Sequence, residues 1–258
     1  MDNHEISDFY DDFSERQYKT GANERLISLY KRMLKAGLSN NSIVLELGCG
    51  VGIFTKLISK TVKNGKIEAV DLSPKSIEIA KKLSKNPKIQ FETADVVKYQ
   101  PKNKDFDFIT LMDVIEHIPL EFHPELFRNL SENSTEKTLI AINIPNPAYI
   151  EYVRKTAPET LQVVDQSVEL SEILSNAEKN GLEIIFYEKY SIWQKEDYDF
   201  MLLRKKKDFK LEKLSESRNI SEKNRKQNQT ENRSGKIFLN PAALNFSGLL
   251  FFLNFAIF

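Results

Sequence analysis

Cysteine occurs once in 258 residues, at Cys49, so no disulfide framework holds this chain and a reducing compartment suits it. Histidine is almost as scarce, at His4, His117 and His123. Net charge is missing too, with 37 basic and 37 acidic residues, but the balance is uneven along the chain. Residues 204–236 carry twelve Lys or Arg against five Asp or Glu, leaving 25 basic against 32 acidic residues elsewhere. So acidic a region argues against a grip on a nucleic acid backbone, and neither DNA nor RNA is an expected partner. There is no internal repeat. The first 25 residues are polar and acidic, so the expectation is a cytoplasmic protein without a signal peptide.

What the chain does have is a run from Ile43 to Gly52, Ile-Val-Leu-Glu-Leu-Gly-Cys-Gly-Val-Gly, which reads as a buried strand entering a glycine turn. Gly48 and Gly50 permit positive φ and a close approach of backbone to a ligand. Glu46 stands just before them, at the carboxyl end of the strand, where open α/β sheets bind ligands. A dinucleotide site would place glycine at position 53, where this chain has Ile53; the third glycine comes one residue earlier, at Gly52. Cys49, inside this loop, is a small residue suited to tight packing.

Strands and helices alternate from there on, the pattern of a doubly wound, mostly parallel sheet. Strands are expected at Ile43–Leu47, Lys66–Val70 (closing at Asp71), Lys88–Phe91, Phe106–Leu111, Thr138–Ile144, Leu182–Tyr190 and Asp199–Leu203. Helices are expected at Phe54–Val62, from Ser73-Pro74 through Leu83, at Glu121–Leu130, and at Val168–Lys179 before the Asn180-Gly181 stop. Residues 1–42 read as a helical cap with an apolar stripe of Leu26, Leu29, Tyr30, Met33 and Leu34. The expected organisation is that cap, a ligand-binding domain over 43–204, a basic linker over 205–236 and an apolar segment over 237–258.

Four motifs together resemble those of the class I S-adenosylmethionine (SAM) methyltransferases: Glu46-x-Gly48-x-Gly50-x-Gly52, Asp71 closing strand two, Thr93-Ala94-Asp95-Val96 after strand three, and Asp107 to Pro119 around the end of strand four. The resemblance implies a Rossmann-like, seven-stranded sheet with its last strand inserted antiparallel, and SAM as cofactor. It implies that Glu46, Gly48, Cys49, Gly50 and Gly52 form the cofactor loop. Asp71 with Leu72 would meet the ribose hydroxyls, Asp95 with Val96 the adenine, and the stretch up to Asp113 the methionine moiety. A carboxylate accepts two hydrogen bonds from a vicinal diol, which suits Asp71 to its task.

Methyl transfer from a sulfonium depends mostly on alignment, and a base helps only where the acceptor must lose a proton. His117, beside Glu116, is the expected catalytic residue, and a small molecule methylated on oxygen or nitrogen, a sugar or lipid precursor among them, is the expected acceptor. Pro145 to Ser167 reads as the acceptor-specific insert, with Tyr149, Tyr152, Arg154, Gln162 and Asp165. Asp113-x-x-Glu116-His117 also resembles the cluster of metal-dependent small-RNA 2′-O-methyltransferases and of ubiquinone-pathway O-methyltransferases. The RNA enzymes supply a second histidine beyond strand five, and this chain has none there, so no metal ligand is assigned. Metal-assisted methylation of RNA or a quinone precursor is one alternative. A SAM-binding regulator without turnover is another. Asn146-Pro147-Ala148-Tyr149 is no amine-binding tetrad, because it follows strand five and carries Ala148.

After Lys236 come 22 residues without a charge. That length would span a bilayer, although Asn240, Pro241, Asn245, Ser247, Gly248 and Asn254 weaken insertion. Membrane contact through 237–258 is carried as an expectation.

Overall fold

The computed structural model describes Ser14, residues 17–162 and 164–209, and Leu211. The chain divides into a unit over Met1–Asp208 and a second over Phe209–Phe258. The expectations for 237–258, and for all but the start of the basic linker, lie outside the described residues. Among the described residues, no helix is long and apolar enough to cross a membrane.

Seven strands form one sheet in the order β3-β2-β1-β4-β5-β7-β6. They are β1 (Ile43–Leu47), β2 (Lys66–Asp71), β3 (Ile89–Thr93), β4 (Phe108–Met112), β5 (Leu139–Pro145), β6 (Leu182–Tyr190) and β7 (Tyr198–Lys205). Pairings from β3 through β5 are parallel, and β7 runs antiparallel between β5 and β6. This is the seven-stranded arrangement that the sequence motifs implied. The order reverses between β1 and β4, so the switch point, where such sheets bind ligands, opens above their carboxyl ends.

Helices cover both faces: α1 (Glu24–Lys35), α2 (Ile53–Ile58), α3 (Pro74–Leu83), α4 (His123–Glu132), α5 (Pro147–Thr156) and α6 (Leu170–Lys179). Strand residues alternate between two cores. Val44, Phe108 and Ala141 pack with Leu29, Met33, Phe54 and Ile77 of α1, α2 and α3. Leu45, Ile109 and Ile140 pack with Leu126, Phe127, Leu130 and Ile173 of α4 and α6. All five residues of β4 are buried, as expected of a central strand covered on both faces. Phe127 has no exposed surface. Phe127→Ala should cost about 3–5 kcal/mol through lost transfer energy and the cavity left behind. A fall in the urea midpoint at unchanged slope would register it, and an unchanged midpoint would contradict this core assignment.

Local chemistry explains several element ends. The Asn23 side chain accepts from Leu26 N at 3.0 Å and starts α1, and Ser73 Oγ accepts from Ser76 N at 3.0 Å and starts α3. Gly52, at φ 76°, is the N-cap of α2, and a Cβ there would stand 2.9 Å from Ala80 of α3. The helix expected over Phe54–Val62 ends at Ile58 and unwinds through turns, with the amides of Thr61 and Val62 both donating to Ile58 O. Two short 3₁₀ turns, Ile115–His117 and Leu120–Phe122, precede α4, so Glu121 lies before the helix and not in it. On α1, Leu29 and Met33 are fully buried, whereas Leu34, at the edge of the stripe, is 41 % exposed and leaves the core set.

Candidate functional site

A cavity of about 440 Å³ opens at the switch point. Its floor comes from the ends of β1, β2 and β4. Its far walls come from the segment before α1 (Gln17, Thr20, Asn23), from Arg25 in the first turn of α1 and from Gln162. Glu46, Gly48, Cys49, Gly50, Asp71, Leu72, Asp95, Val96, Asp113 and His117 all line it, so the sequence-predicted set converges on one space. Two predicted residues stand back from the wall. Gly52 serves the packing of α2 on α3 described above, and Glu116 lies behind His117.

The glycine loop is held from below. Gly48 N and Cys49 N both donate to Val70 O at 2.8 Å, and Gly50 N donates to Asp71 Oδ2 at 2.7 Å. Gly48 sits at φ 75°, and a Cβ there would stand 2.4 Å from Val114 Cγ2. Gly48→Ala therefore combines left-handed strain with a clash in the wall of the cavity. SAM binding should weaken at least tenfold and the melting temperature fall; calorimetry showing wild-type affinity would contradict this placement. Buried Cys49 has its thiol pushed well up by burial and the nearby Asp71 and Glu46 carboxyls, consistent with packing and not thiolate chemistry.

Two further acidic residues, Asp71 and Asp95, line the cavity. Asp71 Oδ1 accepts from Ser73 N at 3.0 Å, so its carboxylate ties the glycine loop to the start of α3. Asp95 Oδ1 accepts from Val97 N at 2.9 Å. The loop behind Asp95 is fixed by Asn129 Nδ2, which donates to Val97 O at 3.1 Å and Tyr99 O at 3.0 Å. Buried Glu68 secures it further by accepting from Tyr99 Oη at 2.7 Å, Lys102 N at 2.8 Å and the Asn103 side chain. Glu46 is buried, and burial raises its carboxyl to about 8, helped by the Asp71 charge against the pull of Thr55. Its Oε2 has no hydrogen-bond partner. A buried, unpartnered acceptor in the wall of this cavity, beside a glycine cradle that a side chain would fill, fits a ligand with an ammonium group such as SAM.

At the other end, Asp113 adopts φ 58°, unusual for a non-glycine residue. Asp113 N donates to Asn143 O at 2.9 Å, Asn143 Nδ2 donates to Asp113 Oδ1 at 2.6 Å, and Arg25 Nη1 pairs with Asp113 Oδ2 at 2.6 Å. Burial opposes the Arg25 charge, but Asp113 and Tyr198 outweigh it and hold the guanidinium protonated. Tyr190 Oη donates to Asn143 Oδ1 at 2.8 Å and extends the network to the antiparallel end of the sheet. Both Asp113 oxygens are thus taken up by protein partners. Asp113 anchors the turn after β4 in the cavity wall.

His117 ends the 3₁₀ turn beyond Asp113. His123, buried on α4, donates from Nε2 to Ile115 O at 3.0 Å and Ile118 O at 2.9 Å and so clamps that turn. His117 Nδ1 lies 2.6 Å from Val164 O and 3.0 Å from Asp165 Oδ1; its Nε2 lies 3.2 Å from Gln162 Nε2 and 3.9 Å from Glu116 Oε1. Burial would lower the imidazolium pKa, but the Asp165 hydrogen bond and the Glu116 and Asp165 charges outweigh it and raise it to about 9. Successive residues of a 3₁₀ turn point about 120° apart, so a His117 that faces the cavity sends Glu116 into the core. Glu116 is 1 % exposed, its carboxyl raised by burial, with neither oxygen hydrogen-bonded. Among the described residues, no group of three or more His, Cys, Asp or Glu could hold a metal ion.

Comparison with known proteins follows the same lines. A family model described as "Methyltransferase domain" matches residues 16–198. The chain is 45% identical over 67 residues to malonyl-[acyl-carrier protein] O-methyltransferase 1 of Ilyobacter polytropus, covering 26% of this chain and 25% of that one. It is 30% identical over 135 residues to trans-aconitate 2-methyltransferase of Escherichia fergusonii, covering 52% of each. The matches span about half or less of those two relatives. Magnesium protoporphyrin IX methyltransferase of Synechocystis PCC 6803, solved with bound SAH, superposes with a TM-score of 0.61 at 15% identity, over 79% of this chain and all of that one, a likeness of fold. On its matching family model, its motifs and its seven-stranded sheet, the chain belongs to the class I SAM-dependent methyltransferases.

Proposed function

We propose that this protein transfers the methyl group of SAM to an oxygen atom of a small acceptor that enters the cavity beside His117. The observation that carries this reading is the continuity of one cavity. It runs from the cofactor loop and Asp71 at one end to Asp113, His117 and Gln162 at the other. Asp71 and Asp95 would hold the adenosine part of SAM and Met112 to Val114 its methionine part, and the bound cofactor would supply an activated methyl group. Alignment of the acceptor with the S–CH₃ bond then supplies much of the rate. Of the aligned relatives, one is named for a small acid, trans-aconitate, and another for O-methylation of malonyl on an acyl-carrier protein, which supports methyl transfer as the reaction.

Calorimetry with SAM and SAH tests the cofactor half of the proposal, and methyl transfer from radiolabelled SAM to a panel of small hydroxyl and carboxylate compounds tests the acceptor half. Micromolar-range binding with turnover on at least one panel member is expected. Tight SAM binding without turnover on any would favour a regulator.

A further inference from the structure

We propose that Asp165 is a positioning residue that makes His117 Nε2 the proton acceptor for a hydroxyl-bearing substrate, and that Gln162 occupies the place of that hydroxyl until it binds. The inference rests on the methyl-transfer reading above and adds the acceptor class and two residue roles to it.

The tautomer follows from the partners. Val164 O and Asp165 Oδ1 are acceptors, and both lie at Nδ1, so Nδ1 carries the proton in either state of the ring and Nε2 is the nitrogen that gains or loses one. Asp165 is itself fixed, because its Oδ2 accepts from Gln162 N at 2.6 Å. Gln166 N donates to Glu116 O at 2.9 Å and binds the same segment to the turn that carries His117. The segment following α5 thus builds the back of the imidazole, and Gln162 alone of its three His117 partners also lines the cavity.

Gln162 matches both states of the ring. Its Nε2 donates to a neutral His117 Nε2, and its Oε1 is otherwise buried without a partner. After His117 gains a proton, rotation of the amide brings Oε1 to the new N–H and satisfies both groups. A hydroxyl can take the place of the amide at Nε2 because it too donates.

The groups facing the ring are Glu116 on the same turn, Asp165 on the segment behind it and Asp113 after β4, whose charge is engaged by Arg25 of α1. A carboxylate acceptor already lacks the proton that a base would take, whereas a hydroxyl supplies one to Nε2. As its O–H bond breaks, the proton passes to Nε2 and the oxygen's electron pair forms the new O–CH₃ bond. The S–CH₃ pair stays on sulfur as a neutral thioether.

Histidine-labelled protein with bound SAH tests this by nitrogen NMR, the His117 signals assigned by their loss in His117→Asn. We expect a ring that is doubly protonated below a midpoint near 9 and, above it, neutral with its proton on Nδ1. In Asp165→Asn the midpoint should fall toward the ordinary histidine value and the tautomers mix, with Asp165→Glu restoring the wild-type midpoint. Catechol should shift the Nε2 resonance in the wild type, more strongly in Gln162→Ala, whereas malonate should not. An Asp165→Asn titration identical to wild type would overturn the positioning role. A response to malonate, or none to catechol in either protein, would overturn the acceptor class. Because these measurements need no turnover, they can fail while methyl transfer stands, and methyl transfer can fail while they hold.

Discussion

Asp71→Ala should weaken SAM binding by about 10²-fold or more. The carboxylate has two tasks. One lone pair on each oxygen holds the protein, at Gly50 N and Ser73 N. The carboxylate also lines the cavity, where a vicinal diol is the group that suits it. Each hydrogen bond to a charged group is worth about 1.5–3 kcal/mol, and about 1.4 kcal/mol is tenfold in affinity. Losing the pair therefore removes at least two decades, and release of the glycine loop adds to that. Asp71→Asn separates the tasks: it keeps one acceptor and the shape, so its loss should be smaller. A cofactor analogue without the two ribose hydroxyls should bind the wild type poorly and lose less further affinity in Asp71→Ala than SAM does, the remainder being the share of the released loop. An affinity for SAM equal to wild type in Asp71→Ala would mean that the ribose lies elsewhere.

How much of this was legible beforehand depended on distance along the chain. The Ile43 to Gly52 run gives the strand and the glycine turn within ten residues. Every sheet strand was anticipated, with ends off by at most two residues. The helix over Pro147–Thr156 was not anticipated, although Asn146-Pro147 is a helix start: Asn146 Oδ1 accepts from Ala148 N at 2.9 Å, with proline in the first turn. Polar residues inside apolar runs, Glu68 in β2 and Asn129 on α4, were the available signal for the network behind Asp95.

The contacts that sequence spacing could not reveal are long-range. Arg25 meets Asp113, and Tyr190 reaches Asn143, because the helical cap and the antiparallel end of the sheet converge on the end of β4. The direction of each side chain in a short turn was equally hidden. Asp113-x-x-Glu116-His117 looks like one cluster in sequence, yet the turn sends His117 to the cavity and Glu116 to the core.

His117→Ala should lower turnover by about 10²-fold or more while SAM affinity stays near wild type, since a positioned base contributes about 10²–10⁴-fold. The pH profile gives the clearer signature. Only the neutral ring accepts a proton, so kcat/KM of the wild type should rise with pH until about 9 and then level off. Stability should move the other way. An imidazolium whose folded pKa exceeds its unfolded value of about 6.5 contributes stability that is fully present below that value. The contribution is lost as pH climbs through about 9, and the raised Glu116 carboxyl gives a slope of the same sign. Activity and stability should therefore cross between roughly pH 6.5 and 9 in the wild type. In His117→Ala the rise in activity should vanish and the loss of stability over this interval should flatten. Denaturant melts at several pH values, with single-turnover rates on the same samples, measure both. A variant that loses stability but keeps its turnover per folded molecule would make His117 a structural group, and an activity profile that is level from pH 6 to 10 in the wild type would remove it from the proton transfer.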